Sequence, residues 1–305
     1  MDSRLNKGDK KILSLIALYR ILTVSQLAAL TQRSRQVIRK RLRFFFGEDL
    51  IIRRMRGFGR SSGRPEEIIF LADKAARIFK DEGLFSESIP LIVPKNIDAI
   101  AVDHDLLINW FFIHLIQLDK SIPDLTIKPY SPGFLMNNQG SHVFFDPRIR
   151  IESEDDLIEF IPDGIFTILH KGLGKGLLFF LEVDMDTESI ASLDRNPNDV
   201  RQKILNYQAI FRNSHYKRFE KIFGLKFNGF RLLFLTNSPA RSASLSRLVQ
   251  EMPPSDFIWL ANQEKMFSDG LSAEIWARGG KLDRSPQSIL GSDRATQTPV
   301  IDSIK

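Results

Sequence analysis

LTVSQLAALTQRSRQVIRKRLRFFFG (residues 22–47) decides the fold of the amino-terminal third. Thr23 and Gln26 stand three apart in the S/T-x-x-E/Q pattern of a capping box, which predicts a short helix with Leu27 and Leu30 behind it. Ser34 is a second capping residue, and the helix it opens is expected to run to about Phe46. Val37, Ile38, Leu42 and Phe45 form its expected buried stripe. Arg35, Arg39 and Arg43 recur at four-residue intervals on another face, flanked by Arg33 and Lys40. No Asp or Glu lies between Leu30 and Gly47, so the stripe has no acid at i,i+4 to pair with. A solvated face or a protein-docking face would explain such a run, but unpaired like charges repel, and the phosphates of double-stranded DNA would neutralise them.

Outward from that helix the apolar period changes. LIIRRMR (50–56) and EEIIFL (66–71) read as strands joined by the glycine-rich GFGRSSGRP (57–65), which carries Arg60 and Arg64. Upstream, Ile12, Leu13, Ile16 and Tyr19 predict a helix over 9–20; downstream, another is expected over Asp73–Glu82. Three helices followed by a basic-tipped hairpin predict a winged helix-turn-helix over residues 1–85, with the third helix in a major groove. The expected DNA contacts are Arg33, Arg35, Gln36, Arg39, Lys40, Arg43, Arg60 and Arg64. Arg35, Gln36 and Arg39 could read base edges or stop at phosphates; spacing does not decide which.

Composition sets the outer bounds. The 305 residues are 43% hydrophobic and 26% charged, enough for ordinary cores in two domains and incompatible with wholesale disorder. The absence of cysteine excludes disulfides, thiolate metal sites and a thiol nucleophile, and fits a reducing, cytoplasmic location. The amino-terminal stretch lacks the pattern of a signal peptide, and apolar runs fall short of the about 20 residues that span a bilayer, so no membrane partner is expected. The net charge of +6 is uneven: residues 1–80 hold 19 Lys or Arg against 7 Asp or Glu, while the remainder is acidic on balance. One part is therefore suited to a polyanion and the other is not.

After the proline-containing stretch 83–97, a largely apolar helix is expected from Asp103, which would cap it, to about Leu118. Strand-like segments follow at 126–130, 142–146, 157–169 and 176–184, then a helix over 199–213, a strand over 230–236, a helix over 239–250 and a strand over 257–261. This order predicts an α/β body with a mixed central sheet over 98–282, and an α+β protein overall. From Asp283 the chain has no apolar period, and 283–305 is expected to be a disordered tail.

The acids of the body are grouped. Pro162-Asp163 is expected mid-strand, and Glu182 and Asp184 should share one face of the next strand. Asp163, Glu182 and Asp184 parallel the restriction-endonuclease-like core of metal-dependent nucleases, in which acids hold Mg²⁺ and a lysine two residues beyond the glutamate activates water. Here Asp184 occupies the lysine position, so an inactive scaffold without cofactor is expected. If the core is active, Asp163, Glu182 and Asp184 would be catalytic metal ligands for Mg²⁺, with Lys203 as a displaced catalytic lysine and Lys175 a poorer substitute. The segment GLGKG (172–176) lacks the P-loop spacing and reads as a hairpin turn. None of the five histidines has another at i+3 or i+4, which argues against zinc.

These segments resemble the replication-relaxation family of plasmids and other mobile elements. The resemblance rests on LTVSQLAAL (22–30), SRQVIRKRL (34–42), the GRP (63–65) that ends the wing, DHDLLINWFF (103–112), IPDGIF (161–166), FFLEVDMDTES (179–189) and RQKILNYQAIF (201–211), across roughly residues 10–260. It implies DNA binding linked to plasmid replication and to relaxation of supercoiled DNA during transfer. The four tyrosines lack the histidine company of a nicking nucleophile, so an accessory factor is expected beside a relaxase or replication initiator, with a homodimer allowed. A metal-dependent DNA endonuclease and a winged-helix transcriptional regulator are the alternatives.

Overall fold

Asn6 and Asp9 cap each other's backbone at the start of helix α1 (Lys7–Tyr19), which turns Ile12, Leu13 and Ile16 inward. The predicted box at Thr23 and Gln26 is formed and opens α2 (Val24–Thr31) after the two-residue strand β1 (Leu22–Thr23). The Ser34 hydroxyl accepts from the Val37 amide and starts α3 (Arg35–Gly47). Strands β2 (Ile51–Met55) and β3 (Glu67–Leu71) pair antiparallel, and β3 also pairs with β1, giving the sheet order β1-β3-β2. Helix α4 (Asp73–Asp81) buries Ala75 and Phe79. The computed structural model describes residues 5–55, 66–82, 99–130, 134–136, 142–144, 148–152, 157–190 and 199–291.

Helix α5 (Ala99–Ser121) begins before Asp103, so Asp103 lies within it rather than capping it. The chain divides into two units: residues up to Ile113 with 131–146, and His114–Tyr130 with the residues from Pro147 onward. The first part of α5 therefore belongs to the amino-terminal unit, where the expected boundary had assigned it to the body. Val102 and Leu106 pack with Ile21, Ile68 and Phe70. Two buried amides hold the contact: Gln26 Nε2 donates to the Leu106 carbonyl at 2.8 Å, and Asn109 Nδ2 donates to the Ile21 carbonyl at 2.6 Å. This pairing spans about 80 residues and leaves no local mark in the sequence.

Along the chain, α5 is followed by β4 (Leu125–Tyr130) of the second unit, by the antiparallel pair β5–β6 (Phe134–Met136, His142–Phe144) of the first, and by the antiparallel pair β7–β8 (Ile149–Glu152, Leu157–Phe160) of the second. The rest comprises β9 (Gly164–His170), β10 (Lys175–Asp184), α6 (Val200–Arg212), α7 (Arg218–Phe223), β11 (Phe230–Thr236), α8 (Pro239–Glu251), β12 (Ile258–Asn262), α9 (Gln263–Asp269) and β13 (Ala277–Arg278). Six strands form one mixed sheet in the order β13-β12-β11-β10-β9-β4. Strands β10, β11 and β12 run parallel with α6 and α8 as crossovers, whereas β4, β9 and β13 pair antiparallel to their neighbours. The central strands read as unbroken apolar runs because both their faces are covered: Leu178–Leu181 and Leu232–Leu235 are all buried.

Two further expectations are corrected. The segment 157–169 is not one strand; Pro162, which has no amide hydrogen to give a ladder, interrupts it between β8 and β9. Residues 283–291, expected within a disordered tail, are built into the body: Trp276 and Gln287 exchange both backbone hydrogen bonds at 3.1 and 2.8 Å, and Ser288 and Ile289 are wholly buried. Residues 292–305 lie outside the described structure.

Gly280 makes the return possible. Its φ is +71°, and a Cβ there would lie 2.9 Å from the Ser246 carbonyl oxygen. Gly280→Ala should destabilise the fold by about 2 kcal/mol in urea unfolding. Gly47→Ala, with open space at that Cβ position, should be neutral or stabilising by up to about 1 kcal/mol. Equal losses for the two variants would contradict this packing.

Candidate functional site

The face that α3 presents is set by which of its residues turn inward. Ile38, Leu42 and Phe45 are buried at i, i+4 and i+7. Arg41 turns toward α1: its Nε donates to Asp9 Oδ1 at 2.7 Å and its Nη2 to Asp9 Oδ2 at 2.6 Å. The Arg41 guanidinium also lies 4.6 Å from the Phe44 ring centroid. Asp9 is 1% exposed, so this two-pronged contact supplies the counter-charge for a buried carboxylate.

With that side occupied, Gln36, Arg39, Lys40 and Arg43 fall within an arc of about 100° facing away from the buried stripe, at 100° per residue. All four are exposed, and Arg39, Lys40 and Arg43 make no salt bridge among the described residues. Arg33 is exposed just before the helix, and Arg35 is half-buried. Val37, expected in the buried stripe, is 46% exposed; Ile38 fills the contact and its neighbour is turned aside. Arg60 and Arg64 lie outside the described residues. The exposed face thus offers donors of positive charge together with one amide and one apolar side chain.

The acids of the body are placed by β9, β10 and the helices that follow. Asp163 precedes β9 instead of lying mid-strand, and its Oδ2 accepts from the Val183 amide at 2.7 Å. Glu182 and Asp184 point to the same side of β10 as the period of two requires, but they meet different partners. Glu182 Oε1 accepts from the Tyr207 hydroxyl at 2.6 Å, and Lys203 Nζ stands 3.3 Å from Glu182 Oε2 and 2.8 Å from Glu188 Oε1. Asp184 receives Arg241 Nε at 3.0 Å on each oxygen and Nη2 at 2.9 Å, while Arg241 Nη1 reaches Asp186 at 3.0 Å.

The three acids therefore do not converge on one point. Asp163, Glu182 and Lys203 form one electrostatic group, and Asp184 belongs to another centred on Arg241. Among the described residues no three His, Cys, Asp or Glu side chains are arranged to hold a metal ion. Lys203, on α6, brings its Nζ to 3.3 Å from Glu182 Oε2. Lys175 is exposed at the far end of β10, seven residues or about 23 Å along the strand from Glu182. Gln202 turns to Asn206 Oδ1 at 3.0 Å and stays out of the cluster.

Burial raises Glu182 to about 7; the adjacent Lys203 ammonium opposes the rise, and Asp163 adds to it. Burial alone would lower Lys203, but Glu182, Asp163 and Glu188 hold it above its ordinary value. Burial, then Glu182, pushes Tyr207 well above the usual phenol range, so it remains a hydrogen-bond donor. Sequence reasoning missed Arg241 and Glu188. Glu188 lies six residues beyond Glu182 in the same acidic stretch and could have been suspected. Arg241 is 57 residues from Asp184 and carries no local signal.

Residues 13–225 match the model of the replication-relaxation family. The matched span covers most of the amino-terminal unit, α5, the acids of β9 and β10, and Lys203; Arg241 lies beyond it. No curated protein matches the chain.

Because Glu182 is raised from 4.5 to about 7 in the folded state, its protonation favours folding; this contribution is complete below 4.5 and is lost as pH rises through 7. The stability of the wild type should therefore fall relative to Glu182→Gln between pH 4.5 and 7 and run parallel above that range, as read by urea unfolding across pH. Parallel curves throughout would contradict the assignment.

Proposed function

Since the chain belongs to the replication-relaxation family, we propose that it is a double-stranded-DNA-binding accessory factor in the replication and relaxation of a plasmid or other mobile element. The observation that carries this reading is the outward set of Arg39, Lys40 and Arg43, unpaired among the described residues while Arg41 on the same helix is turned inward. Three helices, the antiparallel pair β2–β3 and a short third strand support the reading of a winged helix-turn-helix, in which the third helix would enter the major groove. Arg39, Lys40 and Arg43 then meet phosphates, and Gln36 and Val37 lie near base edges, where an amide can read adenine and an apolar side chain the thymine methyl. This reading assigns Arg60 and Arg64, which lie outside the described residues, to contacts with the DNA backbone. A relaxase or replication initiator is the protein partner this reading calls for.

The body serves as a nuclease-like platform that does not cleave. Asp184 replaces the lysine that would stabilise a developing hydroxide, and it is neutralised by Arg241, which leaves little charge to attract Mg²⁺. One observation favours a second reading, a Mg²⁺-dependent endonuclease: the Lys203 amine lies 3.3 Å from Glu182, within reach of a site formed with Asp163.

Replacing Arg39 and Arg43 together by Ala should weaken duplex binding and lower the slope of log affinity against log salt by about 2, one for each lost phosphate contact. Fluorescence anisotropy at several salt concentrations reads both quantities, and unchanged affinity and slope would refute the assignment. Supercoiled plasmid incubated with the protein and Mg²⁺ or Mn²⁺ should remain intact. Nicking or cutting that disappears in Glu182→Ala would replace the accessory role with the endonuclease.

A further inference from the structure

Beyond the family-matched span, β13 and the segment after it border a cavity of about 250 Å³ lined by Asp256, Arg278, Lys281, Arg284, Ser285 and Gln287. We propose that this cavity is a binding site for a phosphate oxyanion. Every residue that lines it carries a polar side chain, and three cations stand against one carboxylate. Asp256 does not saturate them: it stands 3.5 Å from Arg278 and 3.7 Å from Lys281, beyond the 2.7–2.9 Å typical of a charge-assisted hydrogen bond. Arg284 is exposed and makes no salt bridge among the described residues. Ser285 and Gln287 add neutral donors, so the site offers the mixture of charge and directed N–H and O–H groups that phosphate oxygens require.

The frame that carries these side chains is fixed by backbone pairing and tight turns. Arg278 lies on β13 opposite Trp259 of β12. Gly279 and Gly280, at φ of +63° and +71°, turn the chain so that Lys281 follows on the same rim; the Lys281 amide donates to the Arg278 carbonyl at 3.2 Å. Gln287 is held by its two backbone hydrogen bonds to Trp276. A further cation adds to the local field: Arg231 stacks 4.2 Å from the Trp259 ring centroid, and burial together with the charge of Arg278 lowers it to about 10. A region already carrying this excess of positive charge gains from an anion. The volume suits inorganic phosphate or a single phosphoester, and it is smaller than the usual pocket for a drug-sized ligand.

The phosphate could be that of a small free ligand or one unit of a nucleic-acid backbone. The test uses the full chain and isothermal calorimetry at constant ionic strength, with inorganic phosphate titrated against a chloride control. Phosphate should bind saturably and chloride should not. Lys281→Ala/Arg284→Ala, which removes two surface side chains, should weaken phosphate binding at least tenfold with the melting temperature unchanged. Asp256→Asn should strengthen it severalfold, because the competing carboxylate is gone; a residue that only supports the fold would not produce a gain. Absence of saturable phosphate binding, equal binding by the double variant, or weaker binding by Asp256→Asn would overturn the proposal. A second arm adds a duplex oligonucleotide to the Arg39→Ala/Arg43→Ala chain, with α3 disabled. If residual duplex binding competes with phosphate and is lost with Lys281 and Arg284, the source is a nucleic-acid backbone; if duplex is indifferent while phosphate binds, the source is a small free ligand.

Discussion

A carboxylate buried to 1% exposure, Asp9, sets the geometry of the amino-terminal unit. It caps the start of α1 with one oxygen and receives Arg41 of α3 on both. Such a group is tolerated only when paired, and removing its partner from an otherwise buried site costs on the order of 3 kcal/mol or more. The pair also has a directional effect. Among the basic residues crowded onto α3, it selects Arg41 to face inward and so fixes how the helix is turned about its own axis. Arg39, Lys40 and Arg43 are left to the outside by the same choice.

The body treats its charges in the opposite way. Asp184 is closed off by Arg241, and Glu182 by Tyr207 and Lys203, so the acids at the end of β10 are satisfied internally. Buried ion pairs of this kind add little net stability over apolar packing, yet they specify one arrangement of the elements that carry them. Here they tie the end of β10 to the two crossover helices α6 and α8. Cations are left open on α3 of one unit, while the acids at the end of β10 in the other are neutralised by their own neighbours.

Much of the architecture was legible in the sequence because it is written locally. The capping box at Thr23, the Ser34 cap and the apolar runs of β10 and β11 each declare themselves within a few residues. What was not legible depends on distant partners. Val37 is exposed because Ile38 takes the contact, a difference of one residue that periodicity does not resolve. Arg41 and Arg241 look like their surface neighbours until Asp9 and Asp184 are brought to them. Residues 283–291 are too polar to suggest order, and only the backbone of Trp276 and the cover over Ser288 and Ile289 explain why they are held. The acidic cluster was found as a set, but its division between Lys203 and Arg241 belongs to the tertiary structure alone.

The central claim is that α3 is the surface that meets the duplex, with its outward cations positioned by Asp9 and Arg41. Cross-linking the full chain to duplex DNA, followed by mass-spectrometric mapping of the attached peptides, tests it without perturbing a single side chain. Attachment should concentrate on the peptides that contain Gln36, Arg39, Lys40 and Arg43. Attachment confined to the body, with α3 unmodified at saturating DNA, would contradict it.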